Sequence, residues 1–242
     1  MEFTYNGYEK MITALLDMRY EICSYENVTE FGRAVILRHD IDFSPIKAAG
    51  MAKMEYQLGV KSTYFVLVST EFYNVFSSQT AEILCQILKM GHDIGLHFDE
   101  QRYETSSIEQ TKDYVYQESK ILEKALGTTI NTISMHRPSK FTLDSNIEFE
   151  GLINSYSQMF FKNMKYVSDS RMHWQEEVTD IIKSSKFNKI HILTHPFWYS
   201  HKPESTRDKL LHFINGSNKN RYELVNKNFQ NLDEYVKRDD IV

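Results

Sequence analysis

Short apolar runs alternate along this chain with longer segments of helical period, and that alternation constrains the fold more than any other feature. It is the pattern of repeated strand–helix units, in which parallel strands are joined by crossover helices. Ala34-Val-Ile-Leu37 is a β-rich run that ends in the polar His39-Asp-Ile-Asp42. Pro45 then opens a helix, at a position where its missing N–H costs nothing, and Gly59 stops that helix after Leu58. Further strands are predicted over Ser62–Val68, Asp93–His97, Thr132–Met135, Lys165–Val167 and Lys189–Leu193. Helices are predicted over residues 78–90, ended by Gly91, and over 107–126, capped by Gly127, with two more near 204–215 and 219–238. Parallel strands in a chain of 242 residues point to one large α/β domain, either a barrel or a doubly wound sheet.

The chemistry-bearing residues gather at one end of those strands. His39, Asp40, Asp42, His97, Asp99, His136, Arg137 and His195 all fall at predicted C-terminal strand ends, the edge where parallel α/β barrels assemble active sites from several loops. Pro45, Pro138 and Pro196 follow these clusters closely, as rigid turns would.

Composition removes some function classes. A net charge of −5 argues against a broad nucleic-acid footprint, which needs an excess of Lys and Arg. No run approaches the roughly 18 apolar residues of a membrane span. The opening Met1-Glu-Phe-Thr-Tyr-Asn lacks the basic and apolar regions of a signal peptide, so a cytoplasmic protein is expected. Cys23 and Cys85 are far apart and show neither ligand nor redox spacing.

Asp40 and Asp42 lie two apart on a strand and so point the same way. Two carboxylates held together need a cation between them or a proton on one, which suits one as metal ligand and the other as general base. His97 is a divalent-metal ligand by type and position. Asp99 points the same way if the chain stays extended; if it turns helical, Glu100 and Gln101 become the neighbouring positions. His195 is a candidate general acid and Asp169 a partner that fixes its tautomer. Arg137 suits orienting Asp40 or holding an anionic group. Tyr64, Phe98, Trp174, Phe197 and Trp198 are aromatics able to wall a sugar site, His92 belongs to the far end of its strand, and His136 and His173 carry weaker signals.

In this order, the residues resemble the polysaccharide deacetylase family, also called carbohydrate esterase family 4 or the NodB homology domain, from about Val35 to Tyr199. Leu37-Arg-His-Asp-Ile-Asp42 looks like its first motif, an aspartate pair after a strand. Gly59-Val-Lys-Ser-Thr-Tyr-Phe65 is similar to its Gly-Val-x-Ala-Thr-Phe-Phe, and Gly91-His-Asp-Ile-Gly-Leu-His97 to its Gly-His-Glu-Ile-Gly-x-His. His136-Arg137-Pro138 resembles its Arg-x-Pro motif, Ile192-Leu-Thr-His195 the strand bearing its catalytic histidine, and Asp169 through Trp174 its Asp/Trp motif. The resemblance implies a distorted (β/α) barrel of seven parallel strands in a single domain spanning 1–242, with helical additions at both ends. It implies hydrolysis of N- or O-acetyl groups on sugars with a divalent metal, commonly zinc. Asp40 is then the base that activates the attacking water, Asp42 and His97 bind the metal, Arg137 holds Asp40, and His195 protonates the leaving amine. Leu193 helps line the acyl pocket, and Trp174 and Trp198 are expected beside the sugar.

Two departures from the family pattern shape the expectation. Ile41 separates the aspartates, and Gln101 stands where the family places its second metal histidine, which leaves Asp99 as first choice for the third ligand, with Glu100 and Gln101 behind it. The Asp-x-Asp and His-x-Asp pattern is similar to a divergent branch associated with surface-polysaccharide biosynthesis, so the expected substrate is a nucleotide- or lipid-linked amino sugar or an oligosaccharide. The rivals are an inactive barrel that binds a glycan or a partner, favoured by Gln101, and a hydrolase of another small amide such as a formamide.

Overall fold

The computed structural model describes residues 1–104 and 107–241; Thr105, Ser106 and Val242, which the single-domain expectation includes, lie outside the described residues. The chain divides into two compact units, Met1–Tyr199 and Ser200–Val242, and the barrel expected from the sequence is entirely in the first. That unit opens with α1 (Tyr5–Asp17) and β1 (Glu21–Cys23), then runs β2 (Ala34–Ile41), α2 (Pro45–Gln57), β3 (Thr63–Leu67), α3 (Ser78–Lys89), β4 (Asp93–Asp99) and α4 (Ile108–Leu126). It continues through β5 (Thr132–His136), α5 (Lys140–Asp144), β6 (Ile153–Asn154), α6 (Gln158–Phe161), β7 (Lys165–Ser168), α7 (Val178–Ser184) and β8 (Lys189–Thr194).

Seven of these strands form a curled parallel path in the order β6-β5-β4-β3-β2-β8-β7, with helices around it: a distorted (β/α) barrel. Among the described residues β6 and β7, the two ends of the path, do not pair with each other, and this is the opening in the barrel. The short β1 runs parallel to the first half of β2, on the edge that β3 takes over from Arg38 onward.

The period of two along each strand sorts the side chains. On β2–β5, Ile41, Tyr64, Val66, Ile94, Leu96, Phe98, Ile133 and Met135 pack in one cluster with residues of α2, α3 and α4. The alternate positions face inward. Ala34, Ile36 and Phe65 pack with Tyr25 and Phe160 low in the barrel, and Arg38, Asp40, His97, Ser134 and His191 lie above them, all buried. Strand caps follow local chemistry: Ser44 accepts the Lys47 N–H at the start of α2, and Gly127 closes α4 at φ +66°, a conformation that spares a residue without Cβ.

His39 faces outward, away from Asp40 and Asp42, into a buried polar network that the sequence did not suggest. Its Nε2 meets Glu55 at 2.9 Å and its Nδ1 meets the Thr194 hydroxyl at 2.6 Å. Glu55, on α2, also accepts from Tyr8 at 2.6 Å, Ser62 at 2.5 Å and Tyr64 at 2.7 Å. Burial alone would push the Glu55 carboxyl up, but His39 and the other neighbours outweigh it and hold the pKa at about 2. His92 joins the same network through Ser62 and places its Nε2 2.9 Å from the Ala52 carbonyl oxygen, a structural position.

The second unit differs from expectation. The two closing helices predicted near 204–215 and 219–238 are one helix, α8 (Thr206–Asn226), followed by single 3-10 turns at Leu232–Glu234 and Arg238–Asp240. Gly216 sits inside α8, where a glycine costs only about 1 kcal/mol against alanine, too little to break a helix of that length.

Candidate metal-dependent active site

Three imidazoles and two carboxylates converge where β2, β4, β5 and β8 end. Among the described residues, the ligating atoms of Asp42, His97 and His136 all lie within 4.8 Å of one another. Asp42 Oδ1 stands 3.3 Å from His97 Nε2 and 3.5 Å from His136 Nδ1, and those two nitrogens are 3.1 Å apart. His97 Nδ1 faces the Ser134 carbonyl oxygen at 3.3 Å. Donation there leaves the Nε2 lone pair turned into the cluster, the usual way a ligating imidazole is oriented.

Asp42 Oδ1 is buried and has no hydrogen-bond donor. An orphaned buried carboxylate oxygen aimed at two imidazole nitrogens fits a divalent cation, and a donor set of two nitrogens and one oxygen suits zinc or a neighbouring transition metal. Burial would raise the Asp42 carboxyl, but His97, His195 and His136 around it outweigh that and hold it well below the ordinary carboxylate range.

Asp40 stands beside this group, with Oδ2 3.4 Å from His97 Nε2. The arginine that holds it is Arg38, two residues earlier on the same strand face. Arg38 Nε donates to Oδ1 at 2.9 Å and Nη2 to Oδ2 at 2.8 Å, a bidentate fork with both partners buried. Burial would raise the Asp40 carboxyl, and Arg38 first and then His97 bring it below its usual value.

The expectation that Arg137 holds Asp40 is therefore corrected. Arg137 is more than half exposed and its guanidinium pairs with Asp99. The same contact moves Asp99 from its expected place. Asp99 is engaged with Arg137 and with the Gln101 N–H at 3.2 Å, and the third member of the ligating trio is His136. Glu100 and Gln101 are likewise turned to the segment after His136 rather than to the cluster. The pattern of two that places Asp40 with Asp42 also places Arg38 with both, so the true partner was within reach of the sequence.

His195 follows β8 and turns Nε2 toward Asp42, 3.7 Å from Oδ2. Its Nδ1 lies 2.6 Å from Asp169 Oδ1, and both Asp169 oxygens also accept the His195 backbone N–H, at 3.0 and 3.1 Å. Tyr199 donates to Asp169 Oδ2 at 3.1 Å. Burial alone would lower the His195 pKa; the Asp169 carboxylate outweighs it, with help from Asp42 and Asp40, and lifts it to about 9.

Leu193 lies two residues before His195, buried near the end of β8. Trp198 sits in the 3-10 turn after His195 and packs on Phe197 at 4.8 Å and Phe43 at 6.4 Å between ring centroids. Trp174 is buried after β7, and its Nε1 has no hydrogen-bond partner.

No known family profile matches the sequence, and no curated protein does. Solved structures share the fold. A CE4 esterase from Streptococcus mutans superposes with a TM-score of 0.52 at 16% identity, over 80% of this chain and 84% of that one. The CE4 domain of a multidomain xylanase from the hindgut metagenome of Trinervitermes trinervoides gives 0.46 at 17% identity, over 79% and 85%. A family 4 acetyl xylan esterase from Clostridium thermocellum, in complex with a cobalt ion, gives 0.42 at 16% identity, over 74% and 81%. The likeness to the Streptococcus mutans esterase shows that the barrel has the fold of carbohydrate esterase family 4.

Proposed function

We propose that the protein is a metal-dependent hydrolase of this family that removes an N-acyl group, an acetyl in the simplest case, from an amino sugar in surface-polysaccharide biosynthesis. The observation that carries the reading is the convergence of Asp42, His97 and His136 beside an arginine-held carboxylate and an aspartate-held imidazole. A binding barrel has no use for a base and an acid poised on either side of one cation-sized cluster.

Asp42, His97 and His136 would hold a divalent ion, zinc by the donor set, and when bound it would supply Lewis-acid polarisation of the acyl carbonyl and acidify water. Asp40 is the base. Arg38 keeps it ionised and fixes both its oxygens, so that it takes a proton from the attacking water. His195 is the acid. Asp169 binds Nδ1, so the proton on Nε2 faces the cluster and is given to the leaving nitrogen as the C–N bond breaks. Leu193, Trp174 and Trp198 stay proposed as the wall around the acyl group and the sugar. The sugar is read as nucleotide- or lipid-linked, or part of an oligosaccharide.

Metal analysis of the purified protein beside Asp42→Ala and His97→Ala tests the centre: wild type should hold about one equivalent and each variant a trace. Asp40→Asn should keep the metal and lose turnover on N-acetylated sugars. Equal metal contents in wild type and variants sink the hydrolase reading, and turnover surviving in Asp40→Asn removes Asp40 as base.

A further inference from the structure

Asp42 and His97 emerge from strands paired on both sides, and the His97 ring is aligned by the Ser134 carbonyl. His136 has less to hold it. It is the last residue of β5, and among the described residues its Nε2 has no hydrogen-bond partner. The next residue, Arg137, stands at φ +50°, in the left-handed region that costs a residue with a Cβ about 1–2 kcal/mol. Pro138 follows and narrows the conformations of Arg137 further. The chain at this point would not keep the His136 ring on Asp42 and His97 unaided.

Three consecutive side chains from the end of β4 cross to this segment. Asp99 pairs with the Arg137 guanidinium. Glu100 accepts the Ser139 backbone N–H with one oxygen and the Thr142 hydroxyl with the other. The Gln101 amide donates to the Arg137 carbonyl at 3.4 Å. Asp99 Oδ1 also accepts the Gln101 N–H, which folds the three residues into the compact turn that lets all of them reach one target.

We propose that Asp99, Glu100 and Gln101 form a clamp that positions His136 as the third metal-binding side chain and so sets metal affinity without touching the metal. The proposal rests on the reading of Asp42, His97 and His136 as the metal centre. The clamp joins the strand that carries His97 to the loop that carries His136, so the distance between those two ligands is fixed through Asp99 and Glu100. Arg137 serves in it as an anchor for Asp99, with its strained backbone held by bonds at both its side chain and its carbonyl.

The test is cobalt(II) titration of the metal-free protein, followed by its visible absorption, with thermal melting of the metal-free form in parallel. An Asp99→Asn/Glu100→Gln double variant keeps the shapes and removes both charges, and its cobalt affinity should fall about 10–100-fold, the range for groups that orient a ligand. His136→Ala should lose the centre as fully as Asp42→Ala. A double variant that melts lower but binds cobalt as wild type does would make the contacts merely structural and overturn the proposal. His136→Ala binding as tightly as wild type overturns it too, while leaving the metal reading standing on Asp42 and His97. Wild-type protein that takes up no cobalt overturns both.

Discussion

At the scale of single residues, the pairing of Arg38 with Asp40 is the most demanding feature of the site. Both groups are buried, and removing one partner of a buried ion pair leaves the other charge without water or counter-ion. Arg38→Ala should therefore lower the unfolding free energy by about 3–5 kcal/mol in urea titration and abolish turnover. Arg38→Lys restores the charge but not the planar fork, so it should recover stability in part and activity hardly at all. His195 gives the pH dependence. Its folded pKa, about 9, lies above the ordinary histidine value of about 6.5, so the proton it needs as an acid is retained through neutral pH and lost as pH rises through 9. Its stabilising charge pair with Asp169 follows the same course, fully present below about pH 6.5 and gone above 9. Asp169→Asn removes the main cause of the rise, and the alkaline limb of the pH–rate profile should move to lower pH. An alkaline limb that does not move would remove His195 as the proton donor. These roles were unevenly legible in the sequence. Asp40, Asp42, His97 and His195 stand out because polar residues at the ends of apolar strands are conspicuous. Arg38 does not, because a residue inside the strand reads as part of the strand, and Arg137 next to a proline drew the role instead.

At the scale of elements, strand spacing decided what could be read. The helices with clear caps and apolar period, α2, α3 and α4, sit within a residue or two of their predicted spans, since Ser44, Ser77 and Ser107 cap them by accepting backbone N–H groups. The short pieces β1 and β6 escaped notice because three or two residues carry no period, and they exist only because β2 and β5 offer them an edge. Helix α1 is anchored by tertiary contacts as well as its own pattern, through Tyr8 to Glu55. Gly95 on β4 shows how tightly the barrel interior is filled. A Cβ there would lie 2.5 Å from Phe65 on β3 and 2.7 Å from Thr132 on β5. Gly95 shares its strand face with His97 two residues on, so any shift of β4 to relieve the clash is passed to a metal-binding side chain. Gly95→Ala should cost about 1–3 kcal/mol of stability by overpacking, and it should weaken metal binding as well. Calorimetric unfolding and metal titration of the same variant would measure the two effects, and unchanged metal affinity would show that β4 absorbs the clash below His97.

At the scale of the whole barrel, the site lies where the closure is weakest in hydrogen bonds and strongest in charge. β2, β4 and β5 are not all neighbours, since β3 stands between β2 and β4. Asp42 just beyond β2, His97 on β4 and His136 at the end of β5 nevertheless meet at one point, inside the curl of the sheet. A cation there links parts of the chain that are distant in sequence, 94 residues between first and last ligand (136 − 42). It binds the folded barrel and finds no such arrangement in the unfolded chain, so binding and folding are coupled. At a free metal concentration of 100 times Kd the folded state gains about 2.7 kcal/mol. For a chain of this length each kcal/mol raises Tm by about 2–4 °C, so saturating zinc or cobalt should raise Tm by roughly 5–11 °C over the metal-free protein, and a chelator should reverse it. The same addition should leave the Tm of His97→Ala in place, because the two remaining side chains no longer surround the ion. The double variant Asp99→Asn/Glu100→Gln should fall between them: at a fixed metal concentration a tenfold weaker Kd removes about 1.4 kcal/mol of the gain, so its Tm rise should be smaller by about 3–6 °C. Melting curves of the three proteins at matched free metal therefore order the centre, its ligand and its clamp in one measurement, and identical rises in all three would place the bound metal away from these strand ends.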